Sequence, residues 1–578
     1  MNDTVYSLIE RSAEQHPNQT AITYITQLSP EIKDLNHSYT ELLANINRTA
    51  RLLREAMDDH RGVVSFLLPS TPETQFILWA AETVGIANPI NPLLNEDALR
   101  SLLQKAETEV IFALGPNPVS DIWEKVQAIA PDLPKLKKIY SVGFAAGDDV
   151  PHYETELPSY DSSPLPAEWL PTASDICAYF HTGGTTGTPK LAMHSHHNQV
   201  ASINAVNQGM QSQPGEIRLN GLPQFHVAGS LVLSLASFAA GSQILLPTMG
   251  GLRNPEVVQQ CWKLVEHYGI NIMGGIPTSM GAFAQVPVNG ADLNSLSFLM
   301  TGGAMVPPAV VSALEAMTDK PVYQVYGMTE TAGSIALSDV TRPPTPGAAG
   351  IPNAGLEVRI DNNGQPADCT GEICVRGNNV FEGYLGHSES ALEDGWLRTG
   401  DLGHIKDGEI FITGRAKDLI IRSGHNIDPA VIENALEKHP AVAIAAAVGK
   451  PDHYAGELPV AFVELKTGAS ATPEELREFA MAHIDERPAC PKSVTLVEEM
   501  PKTAVGKIHK PTLHISSTVE AVSEALLGYP LTAETEVRGE MSLAGELKLM
   551  VSTSAMTDDV EAACKEIAAQ LNLNISLA

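Results

Sequence analysis

Positive charge is scarce in this chain. Its 578 residues include 37 lysines and arginines against 68 aspartates and glutamates, which gives a formal net charge of −31 at pH 7. A surface this acidic repels nucleic acids and anionic lipids, so neither is expected as a partner. Any anionic substrate must therefore be held by a local group of donors. The acidity alone leaves open whether it serves solubility or a saline habitat.

Cysteine is also rare, and long apolar runs are missing. The six cysteines form no CxxC pair, which favours free thiols in a reducing compartment, the cytoplasm. Residues 1–5 have neither the basic nor the apolar part of a signal peptide. The most apolar stretch, 227–246, contains four serines, a glutamine and two glycines. It predicts a buried helix that leads into a strand, and no transmembrane segment is expected. The cysteines are Cys177, Cys261, Cys369, Cys374, Cys490 and Cys564.

One stretch, 182–190, is rich in glycine and threonine and follows the apolar run 178–180. Glycines let backbone N–H groups approach a ligand, and successive N–H groups form an anion-binding nest. The hydroxyls add donors and Lys190 adds a charge, so the loop predicts a polyphosphate ligand. It does not match the Walker A pattern, because the last glycine is followed by Thr-Pro-Lys. The loop consists of Thr182, Gly183, Gly184, Thr185, Thr186, Gly187, Thr188, Pro189 and Lys190.

The periodicity of the first third of the chain alternates between helix and strand. Residues 39–56 and 72–84 have helical spacing, and residues 62–68 read as a buried strand. From 175 to 333, apolar strands end in Gly/Thr turns, as at 298–303. This alternation predicts an α/β fold, with ligands at the carboxyl ends of the strands.

The length predicts two to four domains. Residues 1–416 are expected to form a large N-terminal α/β domain with several subdomains, of which about 343–416 is β-rich because it has short strands and glycine turns. Residues 417–515 predict a small C-terminal α+β domain. Residues 516–578 predict a further α+β extension with a strand–strand–helix pattern.

Five separated motifs together resemble the acyl-adenylate-forming (AMP-binding) superfamily, in particular its acyl-CoA synthetases. The resemblance covers roughly residues 5 to 512, and the motifs occur in the family's order, which makes it more specific than any single motif. The motifs are the phosphate loop 182–190, the adenine and metal motif 323–330 (YQVYGMTE), the ribose motif 398–401 (RTGD), the hinge 414–418 (GRAKD) and the catalytic lysine segment 501–507 (PKTAVGK).

The resemblance implies an enzyme, an acid–thiol ligase that uses ATP, Mg²⁺ and CoA. A carboxylate attacks the α-phosphorus of ATP to give an acyl-adenylate and pyrophosphate, and CoA then forms the thioester. Charge develops on the transferring phosphoryl group, so cations and fixed donors aimed at it should dominate catalysis.

The resemblance also assigns roles to single residues. Lys507 is expected to bridge the substrate carboxylate and the α-phosphate, Thr329 to donate to the α-phosphate, and Glu330 to bind Mg²⁺. Tyr326 would pack on adenine, and Asp401 would accept both ribose hydroxyls. Further nucleotide contacts are expected from Gln324, Val325, Gly327, Met328 and, on ribose or phosphate, Arg415.

The acid would lie beside the nucleotide. Gly302, Gly303 and Ala304 are expected to form the wall next to adenine and substrate, and His226 matches the aromatic-or-histidine position that borders the acyl pocket. The resemblance places Lys417 at the hinge, about which the small domain is expected to rotate between the two half-reactions. A side chain at Gly424 would obstruct the pantetheine tunnel.

Position 226 also bears on the substrate, because amino-acid-activating members have an aspartate there. A CoA ligase for a fatty, aromatic or other organic acid is therefore favoured, with fatty acid metabolism as one setting. The alternatives are an acyl-AMP ligase that loads a carrier protein and a non-catalytic nucleotide sensor. The short stretch 401–414 lacks the insertion usual in the first, and retention of Lys507, Glu330 and Asp401 argues against the second.

Three features depart from the pattern or need separate interpretation. The chain continues well past Lys507, and the extension could serve oligomerisation, giving a homo-oligomer, or cover a domain edge or regulate. Residues 488–491 lack the aromatic–lysine pair common before the catalytic lysine, which puts a CoA contact there in doubt. A zinc site at His194, His196 and His197 is disfavoured, because no cysteine or carboxylate has suitable local spacing.

Overall fold

The computed structural model of the protein describes residues 3–182, 190–362, 365–366, 370–387, 391–423, 425–484, 486–503, 506–529, 535–541, 547–553, 558–571 and 573–577. Within these residues the fold is mixed α/β, with a large N-terminal domain followed by smaller β-containing units, as predicted.

Two largely parallel sheets build the N-terminal domain, and their antiparallel pairs lie at the edges. Central strands such as Val63–Leu67 and Val110–Leu114 are buried along their whole length, which is why they are continuously apolar. The nine-stranded sheet has, in spatial order, Ile351–Pro352, Ala336–Leu337, Val322–Tyr326, Phe298–Gly302, Ile272–Gly275, Ile217–Leu219, Gln243–Leu246, Thr20–Gln27 and Lys33–Ser38. The six-stranded sheet has Lys138–Val142, Val110–Leu114, Val63–Leu67, Ile86–Pro89, Ile176–His181 and Leu191–Ser195.

The helices of this domain begin at local sequence signals. Before the helix Tyr39–Ala56, the Ser38 hydroxyl accepts the N–H of Glu41 while the Glu41 carboxylate accepts the N–H of Ser38. The helix Pro72–Val84 has its proline in the first turn, where no N–H is needed. Both helices confirm the predicted ranges. The α-helices are Val5–Gln15, Tyr39–Ala56, Pro72–Val84, Glu96–Lys105, Ile122–Ile129, Tyr153–Glu156, His196–Met210, Ala236–Ala239, Pro255–Gln259, Cys261–Tyr268, Pro277–Phe283 and Pro308–Thr318.

The apolar stretch 227–246 lies in the interior. It forms a π-helix, Ala228–Leu235, then the short helix Ala236–Ala239 and the strand Gln243–Leu246, so the predicted buried helix leading into a strand is confirmed. Its neighbours include the helices Val5–Gln15 and His196–Met210. Among the described residues, no helix combines the length and the apolar character needed to cross a membrane.

A separate antiparallel sheet confirms the β-rich character of the segment before the hinge. Its long strands are Leu356–Asn362, Gly371–Gly377, Trp396–Lys406 and Glu409–Arg415, with the short strands Gln365–Pro366 and Leu392–Glu393 at its edges. The last strand of the sheet ends at Arg415, inside the predicted hinge 414–418, so the ribose motif and the beginning of the hinge lie on adjoining strands.

The C-terminal domain has a five-stranded sheet, with a core that includes Ile432, Leu436 and Val463. Its strands are His425–Ile427, Ile420–Arg422, Gly456–Leu465, Val442–Asp452 and Val494–Val497, and its helices are Pro429–Glu437 and Pro473–His483.

The extension begins inside a helix. Helix Lys510–Leu527 runs through the predicted boundary at 515/516, so no break in secondary structure separates the two segments. The side chains of His514 and Ser517 hydrogen-bond to the Gly449 carbonyl, and Lys450 pairs with Glu520 and Glu524 at 3.1 and 2.7 Å. Beyond this helix lie the strands Thr535–Met541 and Leu547–Thr553 and the helix Asp558–Leu571, as the strand–strand–helix pattern predicts. A third strand, Ile575–Leu577, which was not predicted, pairs with Leu547–Thr553.

Candidate active site

The glycine turn and the adenine motif lie at the carboxyl ends of two neighbouring parallel strands. Strand Phe298–Gly302 pairs with strand Val322–Tyr326, so that Gly302 lies opposite Val325. A Cβ atom on Gly302 would lie 2.4 Å from the Val325 carbonyl oxygen, so only glycine fits there. The predicted set Gly302, Gly303, Ala304, Gln324, Val325, Tyr326, Gly327, Met328, Thr329 and Glu330 therefore lies at or next to one edge of the sheet.

Asp401 joins three parts of the predicted nucleotide site. Its Oδ2 accepts the Tyr326 hydroxyl at 2.8 Å, and its Oδ1 accepts Nε of Arg415 at 2.8 Å. Arg415 faces Asp401 across two antiparallel strands. Partial burial opposes the charge of Arg415, but the Asp401 carboxylate outweighs it and raises the pKa of Arg415. The adenine, ribose and hinge motifs thus meet at one buried carboxylate.

Lys507 reaches this site from the C-terminal domain. Its Cε and Nζ lie 3.3 and 3.8 Å from the position of a Cβ atom on Gly303, which has a φ of +83°. The lysine follows a tight turn, in which the N–H of Gly506 donates to the Thr503 carbonyl at 2.8 Å. The hydroxyl of Thr278, in the N-terminal domain, donates to the Gly506 carbonyl at 3.4 Å. Burial, and then the charge of Arg415, lower the pKa of Lys507.

Thr329 and Glu330 are held by His194, which the sequence analysis considered only as a zinc ligand, and by Tyr384, which it did not identify. Nε2 of the buried His194 donates to the Thr329 carbonyl at 2.8 Å. The Tyr384 hydroxyl donates to Oε1 of Glu330 at 2.6 Å, and Nζ of Lys190 lies 4.8 Å from the centre of the Tyr384 ring. Tyr384 is 54 residues from Glu330 in the chain, so no local pattern links the two.

His226 borders the same region as an uncharged imidazole. Its Nδ1 accepts the N–H of Ala228 at 3.2 Å, which leaves the proton on Nε2. Loss of hydration, followed by the charge of Lys507 and the neighbouring imidazole of His181, lowers the pKa of His226 to about 3. His181 stacks on Phe225 with ring centroids 5.8 Å apart, and burial lowers its pKa to about 4.

Not every predicted site residue can be placed. Thr182 and Lys190 close the ends of the phosphate loop, since the N–H of Thr182 donates to the Lys190 carbonyl at 2.8 Å. Lys417 lies in a short turn, Ala416–Asp418, between the β-rich sheet and the C-terminal domain. Outside the described residues lie Gly183, Gly184, Thr185, Thr186, Gly187, Thr188 and the tunnel residue Gly424.

A second buried cluster bears on the zinc prediction. Ligand atoms of Glu82, Cys177 and His196 lie within 4.8 Å of one another, so a cysteine and a carboxylate distant in sequence do approach a histidine. Nδ1 of His196, however, accepts the N–H of Val5 at 3.3 Å, and burial lowers the pKa of His196 to about 3. The neutral ring then carries its proton on Nε2, and neither nitrogen offers a lone pair to a cation. We interpret the cluster as a structural network.

The buried Glu82 carboxyl group of this network predicts that the free energy of unfolding depends on pH. Burial raises the pKa of Glu82 from its ordinary value of 4.5 to about 8. Between these pH values the folded protein keeps a proton that the unfolded chain releases, so the free energy of unfolding falls as pH rises, by about 1.4 kcal/mol per pH unit. Glu82→Gln removes this titration and keeps an acceptor for Nε2 of Gln199, which lies 3.0 Å from Oε1 of Glu82.

The measurement is the melting temperature of wild type and Glu82→Gln at several pH values between 5 and 8. We expect the variant to gain stability relative to wild type as pH rises. A difference that stays constant over this range would show that Glu82 is ionised in the folded protein.

Two family models match most of the chain. The model of the AMP-binding enzymes matches residues 9–385, and that of the AMP-binding enzyme C-terminal domain matches residues 431–507. The second match contains the predicted catalytic lysine segment, and the extension after residue 507 lies beyond both.

Similar proteins cover nearly the same length. The marinolic acid–CoA ligase of Pseudoalteromonas sp. (strain SANK 73390) is 34% identical over 543 residues, 90% of this chain and 82% of that one. The long-chain-fatty-acid–CoA ligase of Bacillus subtilis (strain 168) is 29% identical over 88% of this chain and 93% of that one. Both are CoA ligases by name, and neither is named as a carrier-loading ligase or a sensor.

The fold has counterparts among solved structures. That of the anthranilate CoA ligase AuaEII in complex with anthranoyl-AMP superposes with a TM-score of 0.80 at 21% identity, over 89% of this chain and 97% of that one. The chain therefore belongs to the AMP-binding enzymes and is an acyl-CoA synthetase, an ATP-dependent carboxylate–CoA ligase that acts through an acyl-adenylate.

Proposed function

We propose that this acyl-CoA synthetase activates a monocarboxylic acid whose acyl part carries no second negative charge, such as a fatty or aromatic acid. The observation that carries this proposal is the neutral state of His226 and His181, whose pKa values burial lowers to about 3 and 4. Lys507 is the cation whose charge acts on His226, and the first half-reaction commits Lys507 to the reacting carboxylate. Among the described residues, no cation other than Lys507 acts on His226, so a second carboxylate would be left without a charge to pair with there.

In the proposed first step, an oxygen of the substrate carboxylate attacks the α-phosphorus of ATP. A bond forms between that oxygen and phosphorus, the bond to the bridging oxygen breaks, and pyrophosphate leaves. The Lys507 ammonium group stabilises the charge that builds up on the α-phosphate, and the hydroxyl of Thr329 donates to the same group. Asp401 and Tyr326 hold the ribose and the adenine in place.

The residues present suit a magnesium ion carried by ATP. Magnesium is usually bound by one or two carboxylates together with substrate phosphates, and Glu330 supplies one buried carboxylate near Lys507. When bound, the ion screens the phosphate charges against the incoming carboxylate.

In the proposed second step, the CoA thiol attacks the acyl carbonyl carbon and AMP leaves. Because Lys507 and Gly506 contact the N-terminal domain, the hydrogen bond between Thr278 and Gly506 must break before the small domain can rotate about Lys417. Gly424 is proposed to line the channel for the thiol. The cytoplasm is the proposed compartment, since the described cysteines are free thiols.

A panel of acids tests the substrate class. Pyrophosphate release would be followed with short and long fatty acids, aryl acids, dicarboxylates and α-amino acids, each with and without CoA. We expect turnover with at least one group of monocarboxylates and at least about tenfold lower kcat/KM with dicarboxylates of similar length, since an unpaired buried charge costs several kcal/mol.

Two outcomes would count against the proposal. Preference for a dicarboxylate would refute the proposal that the acyl part of the substrate carries no second negative charge, and would leave the ligase assignment intact. Absence of pyrophosphate release with every class of acid would contradict the assignment of the protein as an adenylate-forming ligase.

A further inference from the structure

We infer that Tyr384 is a positioning residue of the adenylation site, which orients the Glu330 carboxylate through its hydroxyl and seats the Lys190 ammonium group on its ring. This inference rests on the proposed function for the roles of Glu330 and Lys190. The geometry is direct: the hydroxyl lies 2.6 Å from Oε1 of Glu330, and Nζ of Lys190 lies 4.8 Å from the ring centre.

The Tyr384 ring is held in place by its surroundings. It packs edge-on against Phe381, with ring centroids 4.8 Å apart at 74°, and lies 5.9 Å from the His387 ring. Because packing on both sides already restricts the Tyr384 side chain, it loses little further conformational entropy when it holds Glu330 and Lys190.

The backbone around Tyr384 connects the same two motifs. Tyr384 forms an antiparallel bridge with Ala192, in the strand that follows the phosphate loop. The N–H of Phe381 donates to the Glu330 carbonyl at 2.9 Å. The segment 381–384 therefore contacts the exit of the phosphate loop on one side and the metal motif on the other. Tyr384 is the residue of this segment whose side chain reaches both Lys190 and Glu330.

The chemistry of the hydroxyl suits this role. The Tyr384 hydroxyl is the donor of this bond, because an ionised carboxylate only accepts hydrogen bonds. A carboxylate has two oxygens, so Glu330 can accept this bond at Oε1 and still offer Oε2 to a cation. Hydrogen bonds of this kind fix the orientation of a metal ligand, and their loss typically costs ten- to a hundredfold in metal affinity or activity. The ring face attracts the Lys190 cation independently of the hydroxyl.

Two variants separate these contributions. Tyr384→Phe keeps the ring and removes the hydroxyl, whereas Tyr384→Leu removes both. Binding of Mn²⁺ in the presence of a non-hydrolysable ATP analogue would be measured by electron paramagnetic resonance, and binding of the analogue itself by calorimetry. We expect Tyr384→Phe to raise the dissociation constant of Mn²⁺ about tenfold. Tyr384→Leu should in addition weaken binding of the analogue severalfold.

A steady-state readout distinguishes positioning from general damage. In Tyr384→Phe, the Mg²⁺ concentration for half-maximal pyrophosphate release should rise about tenfold, while saturating Mg²⁺ restores most of kcat and the KM of the acid stays unchanged. Thermal unfolding of both variants checks that they fold.

Tyr268→Phe is the matched control, since the Tyr268 hydroxyl donates to Oδ2 of Asp34 at 2.9 Å on another face of the domain. It should leave Mn²⁺ binding unchanged. Wild-type affinity for Mn²⁺ in Tyr384→Phe, or an equal loss in the control, would overturn the role of the hydroxyl. Equal binding of the analogue by the Phe and Leu variants would overturn the role of the Tyr384 ring in positioning Lys190. If Tyr384→Phe weakens Mn²⁺ binding but wild type releases no pyrophosphate with any acid, only the proposed function fails.

Discussion

Lys507→Ala is expected to lower the rate of acyl-adenylate formation by about two to three orders of magnitude, the usual effect of removing one preorganised group that stabilises transition-state charge. The lysine lies against Gly303, and its charge acts together with those of Arg415, Asp401 and Glu330. The charges of Arg415 and Asp401 also act on Lys417, whereas Glu330 acts on Lys507. The measurement is pyrophosphate release with the acid identified from the panel.

The same variant should still form thioester from acyl-adenylate and CoA supplied directly, because the proposed rotation of the small domain moves Lys507 away before the second step. Lys502→Ala is the matched control, since Lys502 lies in the same hairpin and pairs with Glu464 at 3.8 Å. It should retain both steps. Equal loss of both half-reactions in Lys507→Ala would contradict the role assigned to this lysine.

The pH dependence gives a further readout of Lys507. Because burial and Arg415 lower its pKa, the ammonium form is lost at a lower pH than in an ordinary lysine. The adenylation rate should therefore fall on the alkaline side, as pH rises through the lowered pKa. Lys507→Arg should be slower at neutral pH and should lose this alkaline decline, since a guanidinium group stays protonated.

Asp401→Ala is expected to weaken ATP binding by about 30-fold or more. The carboxylate is proposed to accept the ribose hydroxyls, and loss of hydrogen bonds to a charged group costs about 2 kcal/mol. The variant leaves both Nε of Arg415 and the Tyr326 hydroxyl without their acceptor. Calorimetric binding of ATP and the KM for ATP are the measurements.

Two further variants calibrate this result. Asp401→Asn keeps one acceptor oxygen and should fall between wild type and Asp401→Ala. Asp339→Ala breaks a surface pair with Arg342 of 3.2 Å and should leave the affinity for ATP unchanged. Unchanged ATP affinity in Asp401→Ala would remove this residue from the nucleotide site.

Local signals in the sequence were sufficient for most elements. Helical spacing predicted the helices 39–56 and 72–84, and the capping box at Ser38 and Glu41 and the proline at 72 explain where they begin, because both act within one helical turn. The expected end of the C-terminal domain, at residue 515, does not coincide with the end of a helix or strand. Pro511 stands in the first turn of helix Lys510–Leu527 and marks the beginning of a helix that continues into the extension.

The residues of the site also fall into two groups, those that sequence motifs identified and those that only the fold brings together. Sequence motifs were sufficient to name Lys507, Glu330 and Asp401, because each belongs to a contiguous pattern of several residues. Tyr384 was not identified, since its contact with Glu330 joins residues 54 positions apart and exists only after those two segments pack together. The approach of Glu82 and Cys177 to His196 likewise depends on how distant segments pack.

The sequence by itself therefore determined the family, the reaction and the order of the motifs, since these reside in short runs of residues. Only the tertiary structure decided the charge state of His226, the docking of Gly506 on Thr278, and the contacts of Tyr384 with Glu330 and Lys190. The physical reason is that desolvation and hydrogen-bond partners belong to the packed surroundings of a side chain, which residues far apart in the chain create together.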